Sequence, residues 1–179
     1  MSESRRFAYA DPPYLGQGKK LYGYPEWDNP ARHQELIEQL CRDYPDGWAM
    51  SASSPSLRVL LPMCPDDVRI AVWCKTFSAF KKGVRPAYAW EPVIFRSAHN
   101  RNHPAPEKGG KQTTPKDFHE VWEPAGHLAP ITLRRGLTGA KPESVCRWIL
   151  DLLNWQPGDV LDDLYPGTGV EGRVVEASS

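Results

Sequence analysis

The sequence predicts an α/β fold: a single domain built on a sheet of parallel strands. Three observations carry that expectation. Apolar runs of strand length alternate with amphipathic runs of helical period along most of the chain. The length of 179 residues suits one hydrophobic core and is short for two. Two turns rich in proline and glycine, DPPY at 11–14 and PGTG at 166–169, each close a strand-like segment.

The first strand is RRFAYA (5–10), and it must stop at Asp11, because Pro12 and Pro13 lack an amide hydrogen and fix φ. NPARHQELIEQLCRD (29–43) predicts a helix. Asn29 can cap it, Pro30 suits its first turn, and Leu36, Ile37, Leu40 and Cys41 form one apolar stripe. DGWAMSAS then turns at Asp46-Gly47 into a brief apolar strand, and SPSLRVLL (54–61) predicts a short capped helix. DDVRIAVWCK (66–75) and AWEPVIFRS (89–97) predict two strands separated by the polar loop around KKGVRP.

Residues 98–140 hold much of the Pro, Gly, Lys and His and no sustained period, so they form a long excursion within the one domain (1–179), with a short ordered piece at DFHEVWE. KPESVCRWILDLLNWQPGDV restores a helical face in Val145, Ile149, Leu152 and Leu153, ending at a Pro-Gly stop. A last strand, DVLDDLY, leads into PGTG and a short tail. No internal repeat or heptad seam is present.

Lys plus Arg and Asp plus Glu number 22 each, so overall charge drives no association with nucleic acid or an anionic membrane, and any such binding needs a local patch. Residues 96–116 are basic and residues 151–176 acidic. The four cysteines, Cys41, Cys64, Cys74 and Cys146, lie far apart in apolar surroundings without a CxxC or Cys/His cluster, as expected of buried, reduced thiols in a soluble cytoplasmic protein. The N-terminus has no apolar signal core, and no stretch approaches the roughly 18 apolar residues of a membrane span. His99, His103, His119 and His127 match no common zinc spacing, so no metal is expected.

The two turns carry the chemistry. Glycines after the last strand let a backbone approach a ligand, and a helix start there favours an anionic or polar group; a tight turn needing positive φ would look the same. Asp-Pro-Pro-Tyr is equally compatible with a plain chain turn. The two turns gain meaning together. They would face one another if their strands were neighbours at the switch point of the sheet.

DPPY at 11–14, KPE at 141–143 and DLYPGTG at 163–169 resemble the S-adenosylmethionine-dependent amino-methyltransferases in their permuted order, with the catalytic tetrapeptide first and the cofactor loop last. That order is found in beta-class DNA adenine-N6 and cytosine-N4 methyltransferases and in MT-A70-like proteins, and Asp at the start of the tetrapeptide leans toward adenine. The resemblance implies a class I methyltransferase-like (Rossmann-like) sheet with permuted strand order. It also implies that Asp11 and the Pro12 carbonyl accept hydrogen bonds from an exocyclic amine, that Pro13 stiffens the turn and that Tyr14 stacks on the base. Such contacts would free the amine's lone pair by preorganisation. By the same resemblance Asp163, Tyr165, Gly167, Thr168 and Gly169 line the methionine end of S-adenosylmethionine, and Lys141 with Pro142 opens the helix that closes over it.

Only VEGRVVEASS follows the cofactor loop, so the expected sheet is truncated after the strand that leads to it. That departure suggests dependence on a protein partner or a second copy of the chain, and it motivates a rival reading as a non-catalytic partner subunit. RNA adenosine, cytosine-N4 and glutamine substrates are further alternatives to DNA adenine. Lys19 and Lys20 in GQGKK, with Arg96, Arg101, Lys108 and Lys111, could form a basic track for phosphates or simply a solvated loop. Trp90-Glu91, at the start of its strand, could border the active site, or Trp90 could pack in the core.

Overall fold

The computed structural model describes residues 4–79, 82–97, 115–120 and 141–166. Its strands are β1 (Arg6–Ala10), β2 (Gly47–Ser51), β3 (Arg69–Ala79), β4 (Tyr88–Ser97), β5 (Phe118–Glu120) and β6 (Val160–Asp163). The helices are α1 (Pro30–Asp43), α2 (Leu57–Leu60) and α3 (Glu143–Leu153). One six-stranded sheet forms in the order β5-β3-β4-β2-β1-β6.

The all-parallel expectation holds for every pairing except those of β4, which runs antiparallel to both β2 and β3. Chain length explains this. Only residues 80–87 separate β3 from β4, too few for a crossover, which needs a dozen or more. β1 is parallel to β2 on one side and to β6 on the other.

Side-chain alternation along the strands sorts the core into two layers. Phe7, Tyr9, Ala49, Ala71, Trp73, Val93 and Phe95 pack with the apolar face of α3, where Val145, Ile149, Leu152 and Leu153 are all buried. Ala8, Ala10, Trp48, Met50 and Ile94 pack on the other face with Leu36, Ile37 and Leu40 of α1 and Leu60 of α2. Full burial of each large side chain contributes about 1.5–3 kcal/mol, so both helical layers help to hold β1 between β2 and β6.

Local signals set the element ends. Asn29 Oδ1 accepts the Ala31 N–H at 3.1 Å and caps α1, with Pro30 in the first turn. α3 ends before the expected Pro-Gly stop, at Asn154, which takes a left-handed φ of 57° while its N–H bonds back into the helix. The 54–61 segment is α2 flanked by two 3-10 turns, Ser54–Ser56 and Leu61–Met63. Of the expected ordered piece DFHEVWE, Asp117 and β5 lie within the described residues; Trp148 Nε1 donates to the Lys116 carbonyl at 2.9 Å beside them. None of the four cysteines is in a disulfide, but only Cys146 is buried; Cys41, Cys64 and Cys74 are partly exposed.

The chain leaves β1 through α1 over one face to reach β2, and arrives at β6 through α3 over the other face. β1 and β6 therefore flank the switch point of the sheet, and the crevice beyond their carboxyl ends is where such sheets hold ligands.

Candidate functional site

β1 ends at Ala10 and β6 at Asp163, with Tyr9 opposite Asp163 and the Leu164 N–H bonded to the Tyr9 carbonyl at 2.9 Å. Because the strands are parallel, Asp11–Tyr14 and Leu164–Tyr165 leave the sheet at the same edge. The tetrapeptide is thus beside the stretch of chain that leads into the second turn; Gly167, Thr168 and Gly169 of that turn lie outside the described residues.

Asp11, Tyr14 and Lys141 meet Glu91, which the sequence offered with Trp90 as a border of the site, and Lys75, which sequence reasoning did not select. Lys141 Nζ donates to Asp11 Oδ2 at 2.5 Å, with side-chain exposures of 2% and 25%. Tyr14 Oη donates to Glu91 Oε2 at 2.9 Å, and the Lys75 ammonium holds Glu91 Oε1. The antiparallel course of β4 makes this possible, since it brings the start of β4 and the later part of β3 to the carboxyl edge of β1. Tyr9 Oη and Ser51 Oγ, 2.8 Å apart, close the floor between β1 and β2.

The electrostatics follow from this grouping. Burial opposes protonation of Lys141, but Asp11 foremost, with Tyr14, Tyr9 and Glu91, outweighs it and holds the ammonium pKa well above its ordinary value. Burial likewise opposes ionisation of Glu91, yet Lys141 and Lys75 together with the hydrogen bonds from Lys75 and Tyr14 keep its pKa low. Tyr14 is pushed well up by burial and by Asp11, so its phenol remains a neutral donor. Two carboxylates and two ammoniums therefore balance in charge around one phenol.

Behind the tetrapeptide stands His33 of α1, 1% exposed. Burial drives its pKa down, against the pull of the Asn29 and Pro13 backbone acceptors and of Asp28. Its ring meets Trp27 edge-on at 5.2 Å, and Trp27 meets Tyr165 edge-on at 5.5 Å. Trp27 thereby links the Pro13 side of the edge to the β6 side. Tyr165, half-buried, has its phenol pKa pushed up to about 12 by burial, and its N–H donates to Asp163 Oδ1 at 3.1 Å. Pro142 stands at the N-cap of α3 with no side-chain cap of its own.

Residues 16–20, read as a basic track or a solvated loop, include the start of a single π-helical turn, Gly18–Tyr22, followed by a 3-10 turn at Pro25–Asp28. Asp28 builds it. Its two carboxylate oxygens accept the Gly18 and Lys19 amides at 2.8 and 3.1 Å, which leaves Lys19 and Lys20 exposed. Tyr22 extends from this turn close enough to Asp11 and Glu91 that both, after burial, raise its pKa.

Arg96 does not join the other basic residues. It pairs opposite Trp48 at the amino edge of β2, the far edge from Asp11, and its Nε donates to both oxygens of Asp67 at 2.9 and 3.1 Å. Strand direction decided this, because reversing β4 carries its last residues away from the carboxyl edge. Arg101, Lys108 and Lys111 lie outside the described residues. Among the described residues no His, Cys, Asp and Glu cluster is arranged to hold a metal ion, and no helix is long and apolar enough to cross a membrane.

Lys75, the residue missed, left only a faint trace: it ends an apolar run, a pattern that marks no site until the strands are paired.

No protein-family profile matches the chain, and no curated protein matches it in sequence. Solved structures do. M1.HpyAVI in its complex with SAM superposes with a TM-score of 0.62 at 13% identity, over 97% of this chain and 78% of that one. A second structure of M1.HpyAVI gives 0.52 at 14% identity, over 97% and 76%. At such identities the likeness is one of architecture: the chain has the α/β fold of these methyltransferases, across nearly its whole length.

Proposed function

We propose that the chain is an S-adenosylmethionine-dependent amino-methyltransferase whose acceptor is the N6 amine of adenine in DNA. The observation that carries this reading is the shared edge: the Asp11-Pro12-Pro13-Tyr14 turn and the Asp163–Tyr165 end of β6 lie side by side on parallel strands at the switch point. M1.HpyAVI, which shares the fold, was crystallised with SAM.

The described residues suit that cofactor. α3 starts at Pro142 without a side-chain cap, so its first amides and positive dipole end suit a carboxylate, while Asp163 supplies a carboxylate for an amino group. Bound S-adenosylmethionine supplies an electrophilic methyl on a sulfonium. The protein's part is to present the amine. Lys141 engages Asp11 Oδ2, which leaves Oδ1 to accept one amine N–H, and the Pro12 carbonyl, stiffened by its ring and by Pro13, accepts the other. Two such hydrogen bonds draw the nitrogen toward tetrahedral geometry and localise its lone pair. Tyr14 gives the base a face to stack on once it leaves its own stack.

Incubation with tritiated S-adenosylmethionine and DNA, RNA or glutamine peptide tests the reading. Label should appear in N6-methyladenine of DNA. Asp11→Ala should abolish transfer while calorimetry still records cofactor binding, and wild-type turnover in that variant would move the chemistry elsewhere. Absence of binding heat at millimolar cofactor would instead support the partner-subunit reading.

A further inference from the structure

We propose that Glu91 and Lys75 are positioning residues that hold the Tyr14 ring against swinging about χ1, so that the aromatic face is held at both ends. This inference rests on the reading of the site above and adds to it a support that comes from the far side of the sheet.

A ring attached only through Cβ can swing about χ1 and flip about χ2. Tyr14 is restrained further, because its hydroxyl donates to Glu91 Oε2 at 2.9 Å on β4. Glu91 is itself poorly free to move. It precedes Pro92, which confines its backbone to the extended region, and it pairs across the sheet with Trp73. Lys75, on the same face of β3, takes Glu91 Oε1, and its ammonium lies 5.0 Å from the centre of the Trp73 ring. The carboxylate is thus divided between an ammonium that anchors it and a phenol that it anchors.

A purely structural ion pair would have no need of the phenol. Here the side chains are 15% and 19% exposed, and the oxygen left over by the pair is directed to the turn that carries Asp11. The β3–β4 hairpin has no strand contact to β1, and this hydroxyl ties it to the tetrapeptide. Its effect on transfer should run through ring placement, where displacement of the acceptor by about 1 Å costs up to about a hundredfold in rate.

A double-mutant cycle tests this. Tyr14→Phe, Glu91→Leu and the double variant would be compared for kcat with an adenine-containing oligonucleotide, and for cofactor affinity by calorimetry. Each single change should lower kcat by about 10- to 100-fold with cofactor affinity unchanged, and the double variant should be no slower than the slower single one. Glu91→Gln, whose amide oxygen can still accept, should restore part of the loss. Losses that multiply in the double variant, or full activity in Glu91→Leu, would overturn the proposal.

A second measurement is independent of turnover: the Tyr14 χ1 rotamer populations from NMR couplings in the full chain. One rotamer should dominate in the wild type, and Glu91→Leu and Lys75→Met should spread the ring over two or more. Equal populations in all three would overturn the tether. A wild type that transfers no methyl to any nucleic acid but keeps the single rotamer would defeat the functional reading while the tether stands.

Discussion

Replacing Asp11 by Asn should destabilise the protein more than replacing Lys141 by Met, although both changes break the same ion pair. The partners are unequally buried, with side-chain exposures of 2% for Lys141 and 25% for Asp11. At 2.5 Å and an effective dielectric of about 20 the pair's Coulomb attraction is about 7 kcal/mol, most of it cancelled by desolvation of the ammonium. Asp11→Asn leaves that ammonium buried and under-compensated, at a cost of about 3 kcal/mol. Lys141→Met leaves a carboxylate that water still reaches, at about 1–2 kcal/mol. Removing both together should recover most of the loss.

The pH dependence separates the cases further. In the wild type the folded pKa of Lys141 is raised above the unfolded one. Its stabilising contribution is therefore complete below about pH 10.4 and is lost only as pH climbs through the folded value. In Asp11→Asn, burial, the largest influence on Lys141, is opposed only by Tyr14, Tyr9 and Glu91, and the folded pKa should drop below the unfolded one. Stability of that variant should then rise with pH, by up to about 1.4 kcal/mol per unit, where the unfolded chain holds the proton and the folded one does not. Urea unfolding from about pH 7 to about pH 10 reads this directly. An Asp11→Asn variant as stable as wild type and flat across that range would refute the burial argument.

His33 should make the fold acid-sensitive. Burial lowers its folded pKa, so the contribution of the neutral ring is complete above about pH 6.5 and is lost as pH falls from there toward the folded value. His119 has the same sign, so the comparison must be made against His33→Gln, whose urea midpoint should fall less than that of wild type between about pH 7 and pH 5. Gly18→Ala should lower stability by about 1–3 kcal/mol, read as a lower Tm. A Cβ there would lie 2.5 Å from the Tyr24 carbonyl oxygen and 2.7 Å from Trp27 Cβ. An unchanged Tm would mean that the turn is not packed as described.

Local chemistry wrote the elements plainly. Pro12 and Pro13 ended β1, Asn29 and Pro30 began α1, and the apolar periods of α1 and α3 identified the faces that are in fact buried. The π-helical turn at Gly18–Tyr22 was not legible, because it depends on Asp28 reaching back ten residues to two amides, and nothing in the run GQGKK announces that contact.

What the sequence by itself determined is therefore the set of pieces and the proline turn that ends β1: hydrophobic period, capping and proline chemistry act over a few residues and can be read along the chain. The tertiary structure alone decided how the charges meet. Lys75, Glu91, Lys141 and Asp11 span more than a third of the chain, and they became one neutral cluster only when β4 reversed and β6 paired with β1. Arg96 left the site through that same reversal. Strand direction and order depend on connection length and on which faces must be buried, and a charge finds its partner only after those are settled.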